Sequence, residues 1–129
     1  MPMYRNEAAF SRALVTSMRN RGWFVQRIES GETGKGIPDL YVITPGGVAM
    51  WLELKRERCS LPQRGSVEVH WRPGQQSWLS GVTARKQKAF TIACFDNGIL
   101  TIPHRDIWHR NLVLLDLCTY SKDIGDLLR

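Results

Sequence analysis

Residues 36–55, GIPDLYVITPGGVAMWLELK, predict a β-hairpin with charged residues at its open end. Two apolar segments, 40–44 and 48–55, flank a Pro-Gly-Gly turn at 45–47, which is typical of paired antiparallel strands. The second segment begins with an almost continuous apolar run, as expected for a strand that is buried on both faces. Charges at the end of such a strand lie at the rim of a core, where they rarely occur without a partner or a chemical role.

Three charged residues stand at this rim: Asp39 before the first strand, and Glu53 and Lys55 at the end of the second. Because side chains alternate along a strand, Glu53 and Lys55 share one face, which leaves the Leu54 backbone carbonyl free as an oxygen ligand. Mg²⁺ prefers oxygen ligands, and lysine can hold a water or the oxygens of a phosphate. The residue types fit phosphodiester hydrolysis. Each fragment alone is also typical of a simple turn or a solvated Glu–Lys pair.

A helix is predicted over residues 6–21, with Asn6 as its N-cap and Gly22 just past its C-terminus. Glu7 is expected on the same buried face as the apolar stripe, which consists of Phe10, Leu14 and Met18. Two explanations of this acidic residue stay open. It matches the helix dipole at the first turn, or it is a third carboxylate aimed at a metal.

The remaining segments predict an α/β fold with a mixed sheet. The helix predicted at 75–86 lies between strands, as expected for a crossover that makes a parallel pair. The other predicted elements are strands at 23–28, 89–95 and 99–102, a short helix from Pro103 to about Asn111, a strand-like run at 112–117 and a weak helix at 121–128.

Composition indicates one intracellular domain over residues 1–129. The chain is long enough for a core, and no run approaches the roughly 18 apolar residues that span a bilayer. The N-terminus lacks the apolar region of a secretory signal. Cys59, Cys94 and Cys118 are widely spaced and lack zinc-ligand spacing, so we interpret them as reduced thiols. We expect neither a membrane partner nor secretion.

The net charge of +6 suits a polyanion partner. The irregular, basic segment 56–74 also contains Trp71, and such a mixture fits nucleic-acid contact, although Trp71 could simply pack on the core. The Gly-rich segment 29–36 lacks the spacing of a nucleotide-binding loop, so no nucleotide cofactor is expected. The residues predicted to contact DNA are Lys35, Arg56, Arg58, Arg64 and Arg72.

These motifs, in this order, resemble the PD-(D/E)xK nuclease superfamily, and within it the virus-type replication-repair nuclease (VRR-NUC) family. The resemblance spans about residues 7–102 and leaves 103–129 unassigned. The four matching features are a glutamate early in the first helix (Glu7), G-x-P-D at 36–39, E-x-K at 53–55, and P-x-Q-x-x-W at 73–78, opening the helix after the catalytic strand.

The resemblance implies a restriction-endonuclease-like core and a Mg²⁺ or Mn²⁺ site made by Glu7, Asp39, Glu53 and the Leu54 carbonyl. It makes Asp39, Glu53 and Lys55 catalytic, with Lys55 as the catalytic lysine and Gln75 supporting the site from the next helix. Small stand-alone members of the family resemble Holliday junction resolvases and act as dimers, whereas larger relatives carry the domain within a repair nuclease. A compact stand-alone domain fits a phage or a mobile element.

The leading hypothesis is therefore a metal-dependent DNA endonuclease that acts on branched DNA and resembles a Holliday junction resolvase. The alternative is a catalytically idle DNA-binding component of a DNA-processing assembly. A sequence-specific restriction endonuclease ranks lower, because the short chain leaves little room for base-reading elements. Paired incision needs two sites, so we expect a homodimer whose contact uses the first-helix region, Trp108 or Leu112–Leu115. Core packing is the favoured role of the run at 112–117.

Overall fold

The computed structural model describes residues 3–28, 36–104 and 111–129. Helices in these residues are α1 (Glu7–Asn20), α2 (Gln75–Ala84) and α3 (Ile124–Leu127), with a 3₁₀ turn at Leu115–Leu117. The strands are β1 (Phe24–Arg27), β2 (Leu40–Ile43), β3 (Ala49–Arg56), β4 (Ser66–Glu68), β5 (Ala89–Phe95), β6 (Gly98–Pro103), β7 (Leu112–Leu114) and β8 (Thr119–Ser121).

Six of the described strands form one mixed sheet in the order β1-β2-β3-β5-β6-β8. The predicted hairpin is confirmed, because β2 and β3 pair antiparallel from Leu40–Leu52 to Ile43–Ala49. The predicted crossover is also confirmed, since β3 and β5 are parallel neighbours joined through α2. The parallel pairing places β3 in the interior of the sheet, with the β2 ladder ending just before Glu53.

Helix α1 covers one face of this sheet. Asn6 caps it by accepting a hydrogen bond from the Ala9 N–H at 2.8 Å, and Gly22 follows with φ +86°. The buried stripe of the helix packs against Val42, Leu52 and Leu54, among others. Glu7 was expected on this buried face but is exposed. It is the first residue of the helix and lies at the edge of the core rather than over it.

The opposite face is covered by a two-stranded ribbon of β4 and β7. Strand β7 lies within the predicted strand-like run at 112–117, whereas β4 was not predicted and lies inside the segment expected to be irregular. Trp71 packs into this second cluster with Val113 and Phe95, and its Nε1–H donates to Thr91 Oγ1 at 3.0 Å. The core role of Trp71, left open by the sequence, is the one observed.

Two further expectations need correction. The apolar run at the start of β3 is not buried on both faces. Val48 is 41% exposed, and Trp51 is only partly buried. The rings of Tyr41 and Trp78 cover part of Trp51, at centroid distances of 4.7 and 4.9 Å. Pro103 does not open a helix. Pro103 is the last residue of β6, and most of the helix predicted from Pro103 to about Asn111 falls on residues 105–110, which lie outside the described ranges.

The C-terminal residues complete the sheet. Strand β8 pairs with β6 at its edge, and Ile124 of α3 is buried in the α1 cluster. The run at 112–117 is a strand only as far as Leu114. Cys59, Cys94 and Cys118 form no disulfide. None of the helices in the described residues is both long and apolar enough to cross a membrane.

Candidate active site

Asp39 stands at the start of β2 and is held on both sides. Its carbonyl accepts the Ile28 N–H at 2.8 Å, and its Oδ2 accepts the Leu54 N–H, also at 2.8 Å. The second bond joins the G-x-P-D segment to the end of β3. The N–H and C=O of one strand residue point towards the same neighbouring strand. Because the Leu54 N–H bonds to Asp39, the Leu54 carbonyl also points towards Asp39, just beyond the last β2–β3 pair, Leu40–Leu52.

The start of α2 lies directly against this segment. Gly36 has φ +85°, and a Cβ added there would lie 2.4 Å from the Gly74 carbonyl oxygen. A side chain is therefore excluded at Gly36, both by its backbone conformation and by the neighbouring chain. The close approach brings the N-terminus of α2, with Gln75, to the open end of the hairpin.

Glu53 and Lys55 share one face of β3 and are both buried, with Glu53 only 2% exposed. Lys55 Nζ lies 3.5 Å from Glu53 Oε2, and the Gln75 side-chain amide donates to the same oxygen at 2.9 Å. The Arg72 N–H donates to Gln75 Oε1 at 2.7 Å, which fixes the orientation of the amide. Asp39, Glu53, Lys55 and Gln75 are thus brought together.

The second oxygen of Glu53, Oε1, is buried and has no hydrogen-bond partner within the part of the chain that the structure describes. Leaving a buried carboxylate oxygen unsatisfied is costly. Burial, reinforced by the nearby Asp39 and opposed by Lys55, raises the pKa of Glu53 to about 8. A cation or a proton at Oε1 would relieve this strain.

Glu7 approaches the same group from α1. Desolvation raises its pKa, Lys55 acts to lower it and Asp39 to raise it. The side chain is nevertheless exposed, which is consistent with a position at the mouth of the site. Glu7 is therefore near the charges of the rim without being enclosed by them.

In residues 3–28, 36–104 and 111–129, no three His, Cys, Asp or Glu side chains form a ready-made metal cluster. The donor chemistry still fits a hard divalent cation. Glu53 Oε1 is unsatisfied, the Asp39 carboxylate repels it, and the Leu54 carbonyl faces the same side. One or two carboxylates with a carbonyl are what Mg²⁺ uses when substrate and water complete its shell.

An open cleft of about 450 Å³ adjoins the group and is lined by Glu7, Lys55, Arg56, Glu57, Arg58, Cys59, His70 and Arg72. Of the predicted DNA-contacting residues, Arg58 and Arg72 line it with exposed side chains, and Arg64 is exposed but not among the lining residues. Lys35 lies outside the described residues.

Arg56 differs from its predicted role as a DNA contact. Its guanidinium is buried and donates to the Tyr4 carbonyl at 2.7 Å and to Asp96 Oδ1 at 2.6 Å. The alternation along β3 accounts for this, because Arg56 faces the side opposite to Lys55. Its positive charge is used inside the protein, where it ties the segment before α1 and the β5–β6 turn to β3.

A carboxylate–histidine pair at the cleft was not predicted from the sequence. Glu57 continues the alternating row of Glu53 and Lys55 and is itself buried. The His70 ring Nδ1–H donates to Glu57 Oε1 at 2.6 Å, and the His70 backbone N–H donates to Oε2 at 2.9 Å. The period of two could have identified Glu57. No local signal identifies His70, because its position depends on how the intervening loop returns to β3.

No family model matches the chain, and no curated protein matches it. Among solved structures, the chain is similar to Hjc, a Holliday junction resolvase from the archaeal hyperthermophile Archaeoglobus fulgidus, with a TM-score of 0.59. The alignment covers 85% of this chain and 89% of that one, at 13% sequence identity. The fold is restriction-endonuclease-like. The predicted fold class, a mixed sheet flanked by helices, is thereby confirmed.

Proposed function

We propose that this chain is a divalent-metal-dependent DNA endonuclease that acts on branched DNA, with the Holliday junction as its expected substrate. The observation that carries the proposal is the buried, unsatisfied Glu53 Oε1, set beside Asp39, Lys55 and Gln75, with Lys55 lining an open cleft. The resolvase fold of Hjc supports the same class of activity.

The proposed roles follow from the donors that each residue presents. Asp39, Glu53 and the Leu54 carbonyl, with Glu7 beside them, hold Mg²⁺ or Mn²⁺. Such an ion supplies an acidified water and neutralises charge on the phosphate. Lys55, as a fixed ammonium group at the cleft, binds the phosphate oxygens on which negative charge develops. Gln75 orients Glu53 through the hydrogen bond that its side-chain amide donates.

The substrate class rests on shape and charge. The cleft is open rather than enclosed, and its exposed cations Arg58 and Arg72 suit a nucleic-acid backbone. The preference for branched DNA is inferred from the fold that the chain shares with Hjc. We also propose membership of the VRR-NUC family, which is supported by the four motifs and by the contact between Gln75 and Glu53.

The test is incubation of the pure protein with end-labelled four-way junction, flap and linear duplex DNA, with Mg²⁺, Mn²⁺ or EDTA. We expect metal-dependent incision of the junction and little incision of the linear duplex. Lys122→Gln, an exposed change in the segment after β8, three strands from β3, is the matched control for the loss of a positive charge in Lys55→Ala. Absence of cleavage on every substrate would refute the proposed nuclease activity, and equal cleavage of linear and branched DNA would refute the proposed preference for branched DNA.

A further inference from the structure

The row of charges on β3 does not end at the proposed catalytic lysine. Glu53 and Lys55 on β3, and Glu57 one residue past its end, lie on one face, and all three are buried. Glu57 is the carboxylate furthest from Asp39 in this row, and it lines the same open cleft as Lys55. A buried carboxylate requires compensating donors, and here both side-chain oxygens are satisfied by one residue, His70.

This double contact fixes the histidine. The backbone N–H and the ring Nδ1–H of His70 bind the two oxygens of a single carboxylate, at 2.9 and 2.6 Å. Rotation of the ring is therefore restricted, and Nε2 is left on the outer edge. The side chain is 67% exposed, so the pair does not serve to fill a core. A carboxylate that holds the ring of an exposed histidine positions that ring for a partner.

The charges around His70 favour its protonated form. The hydrogen bond to Glu57 raises the pKa of the imidazole above its ordinary value, with a smaller contribution from Glu68 on β4, while Lys55 opposes the change. Glu7, Arg58 and Arg72 are the other charged groups that share the cleft with His70 and Lys55, apart from the internally paired Arg56. His70 thus keeps its positive charge on the wall of the cleft to a higher pH than an ordinary imidazole does.

The spacing indicates what this cation binds. His70 and Lys55 line the same cleft, and Glu57, which holds His70, follows Lys55 by two residues, about 7 Å along an extended chain. Adjacent phosphates on a nucleic-acid strand are separated by a similar distance. We propose that His70, held by Glu57, binds the DNA phosphate next to the one that Lys55 contacts. This inference rests on the proposed function, since it names a second phosphate site in the same cleft.

A second carboxylate, Glu68, lies near the outer edge of the His70 ring and should oppose phosphate binding there. Its Oε1 lies 3.5 Å from His70 Nε2, and its side chain is more than half exposed. A phosphate at Nε2 would meet this carboxylate, so Glu68 competes with DNA for the same ring edge. Removing Glu57 and removing Glu68 should therefore change DNA affinity in opposite directions, which a purely structural role of the pair does not predict.

The experiment measures binding of a fluorescent four-way junction in Ca²⁺, from about pH 5.5 to about pH 8.5, at several salt concentrations. The variants are His70→Gln, Glu57→Gln and Glu68→Gln, with Lys122→Gln as the control. At acid pH we expect His70→Gln to lower the log–log salt slope by about 0.9, the value of one phosphate contact. The difference from the wild type should disappear as the pH rises through the raised pKa of His70.

In Glu57→Gln, DNA affinity should fall at a lower pH than in the wild type, because the hydrogen bond that raises the pKa of His70 is weakened. Glu68→Gln should strengthen DNA binding several-fold. Both His70 and Glu68 are exposed, so these variants are expected to fold, and melting curves verify this. A His70→Gln variant with the salt slope and pH profile of the wild type would overturn the proposal. So would weaker binding by Glu68→Gln. Cleavage by the wild type in Mn²⁺ is measured separately, so failure of this subsite is distinguishable from failure of the nuclease.

Discussion

Glu53 is held in a position that disfavours its own charge. Its carboxyl has an ordinary pKa of 4.5 and a folded-state pKa of about 8, so the folded protein binds a proton that the unfolded chain releases between these values. Stability from this group is therefore complete below the unfolded pKa and is lost as the pH rises from 4.5 towards 8. A group with this behaviour in the metal-free protein is suited to exchange its proton for a cation.

Replacement of Glu53 by Gln tests this in EDTA. Gln keeps the acceptor for Gln75 and removes the charge, so the variant should be more stable than the wild type near pH 8 by more than about 1 kcal/mol, and similar near pH 5. Thermal melting at both values measures the difference. Mn²⁺ should then stabilise the wild type and leave the variant unchanged, because only binding to the folded state raises stability. Equal pH dependence in the two proteins would contradict the raised pKa.

Lys55 is expected to act on the reaction rather than on binding. Its ammonium contacts Glu53 from the same face of β3 and opens onto the cleft. Lys55→Ala should reduce cleavage by about 100-fold or more, as for removal of one fixed charge-stabilising donor. DNA binding in Ca²⁺ should remain close to that of the wild type. Near-normal turnover by this variant at any metal concentration would contradict the assignment.

At the residue scale, strand periodicity accounts for what the sequence could predict. Glu53 and Lys55 were placed together because they are two apart, and the same rule would have placed Glu57 with them and Arg56 on the opposite face. Arg56 was grouped with the basic cluster on charge alone, and that criterion failed. His70 could not be found, because the contact to Glu57 is made by chain that returns after twelve intervening residues.

At the scale of elements, the approach of the G-x-P-D segment to α2 positions the site. Gly36→Ala would place a Cβ 2.4 Å from the Gly74 oxygen at a φ of +85°. Gly47→Ala is the matched control, because Gly47 has φ +91° but no described atom within 4 Å of its added Cβ. Both should lose about 1 kcal/mol or more from the left-handed backbone.

The clash should make Gly36→Ala the more destabilising of the two variants. Only Gly36→Ala should reduce cleavage, because it displaces Asp39 from Leu54 and Gln75 from Glu53. Melting temperatures and initial cleavage rates measure both effects. Equal losses in the two variants would show that the contact with α2 is unimportant for the site.

Elements with strong local signals were predicted well, and those built from distant pieces were not. Helix α1 has a capping residue and an apolar stripe, and the hairpin has its turn and its alternation, so both were predicted near their observed bounds. The ribbon of β4 and β7 joins two three-residue strands that are more than forty residues apart. The apolar run that contains β7 was predicted as strand-like, but β4 has too short a pattern to be identified, and nothing local indicates that the two strands pair and pack on the cluster around Trp71.

At the scale of the whole molecule, the apolar surface decides where a second copy could bind. The apolar stripe of α1 is buried in the core, so this stripe is not available for a subunit contact. Trp108 lies outside the described residues. Among the described residues, Leu112 and Leu114 remain 48% and 49% exposed, side by side on the outer face of β7. These two leucines are the remaining members of the predicted contact.

We therefore expect a homodimer that joins through the outer face of β7, since a closed two-fold dimer supplies the second site that paired incision needs. Light scattering at micromolar concentration, with and without junction DNA, should give twice the mass of the 129-residue chain. Leu112→Lys with Leu114→Lys should give monomers that nick without pairing their incisions. Val48 is an apolar residue of similar exposure at the hairpin turn, so Val48→Lys is the control and should leave the dimer intact. A wild-type monomer under both conditions that still cuts flaps would leave the nuclease proposal standing and refute the resolvase.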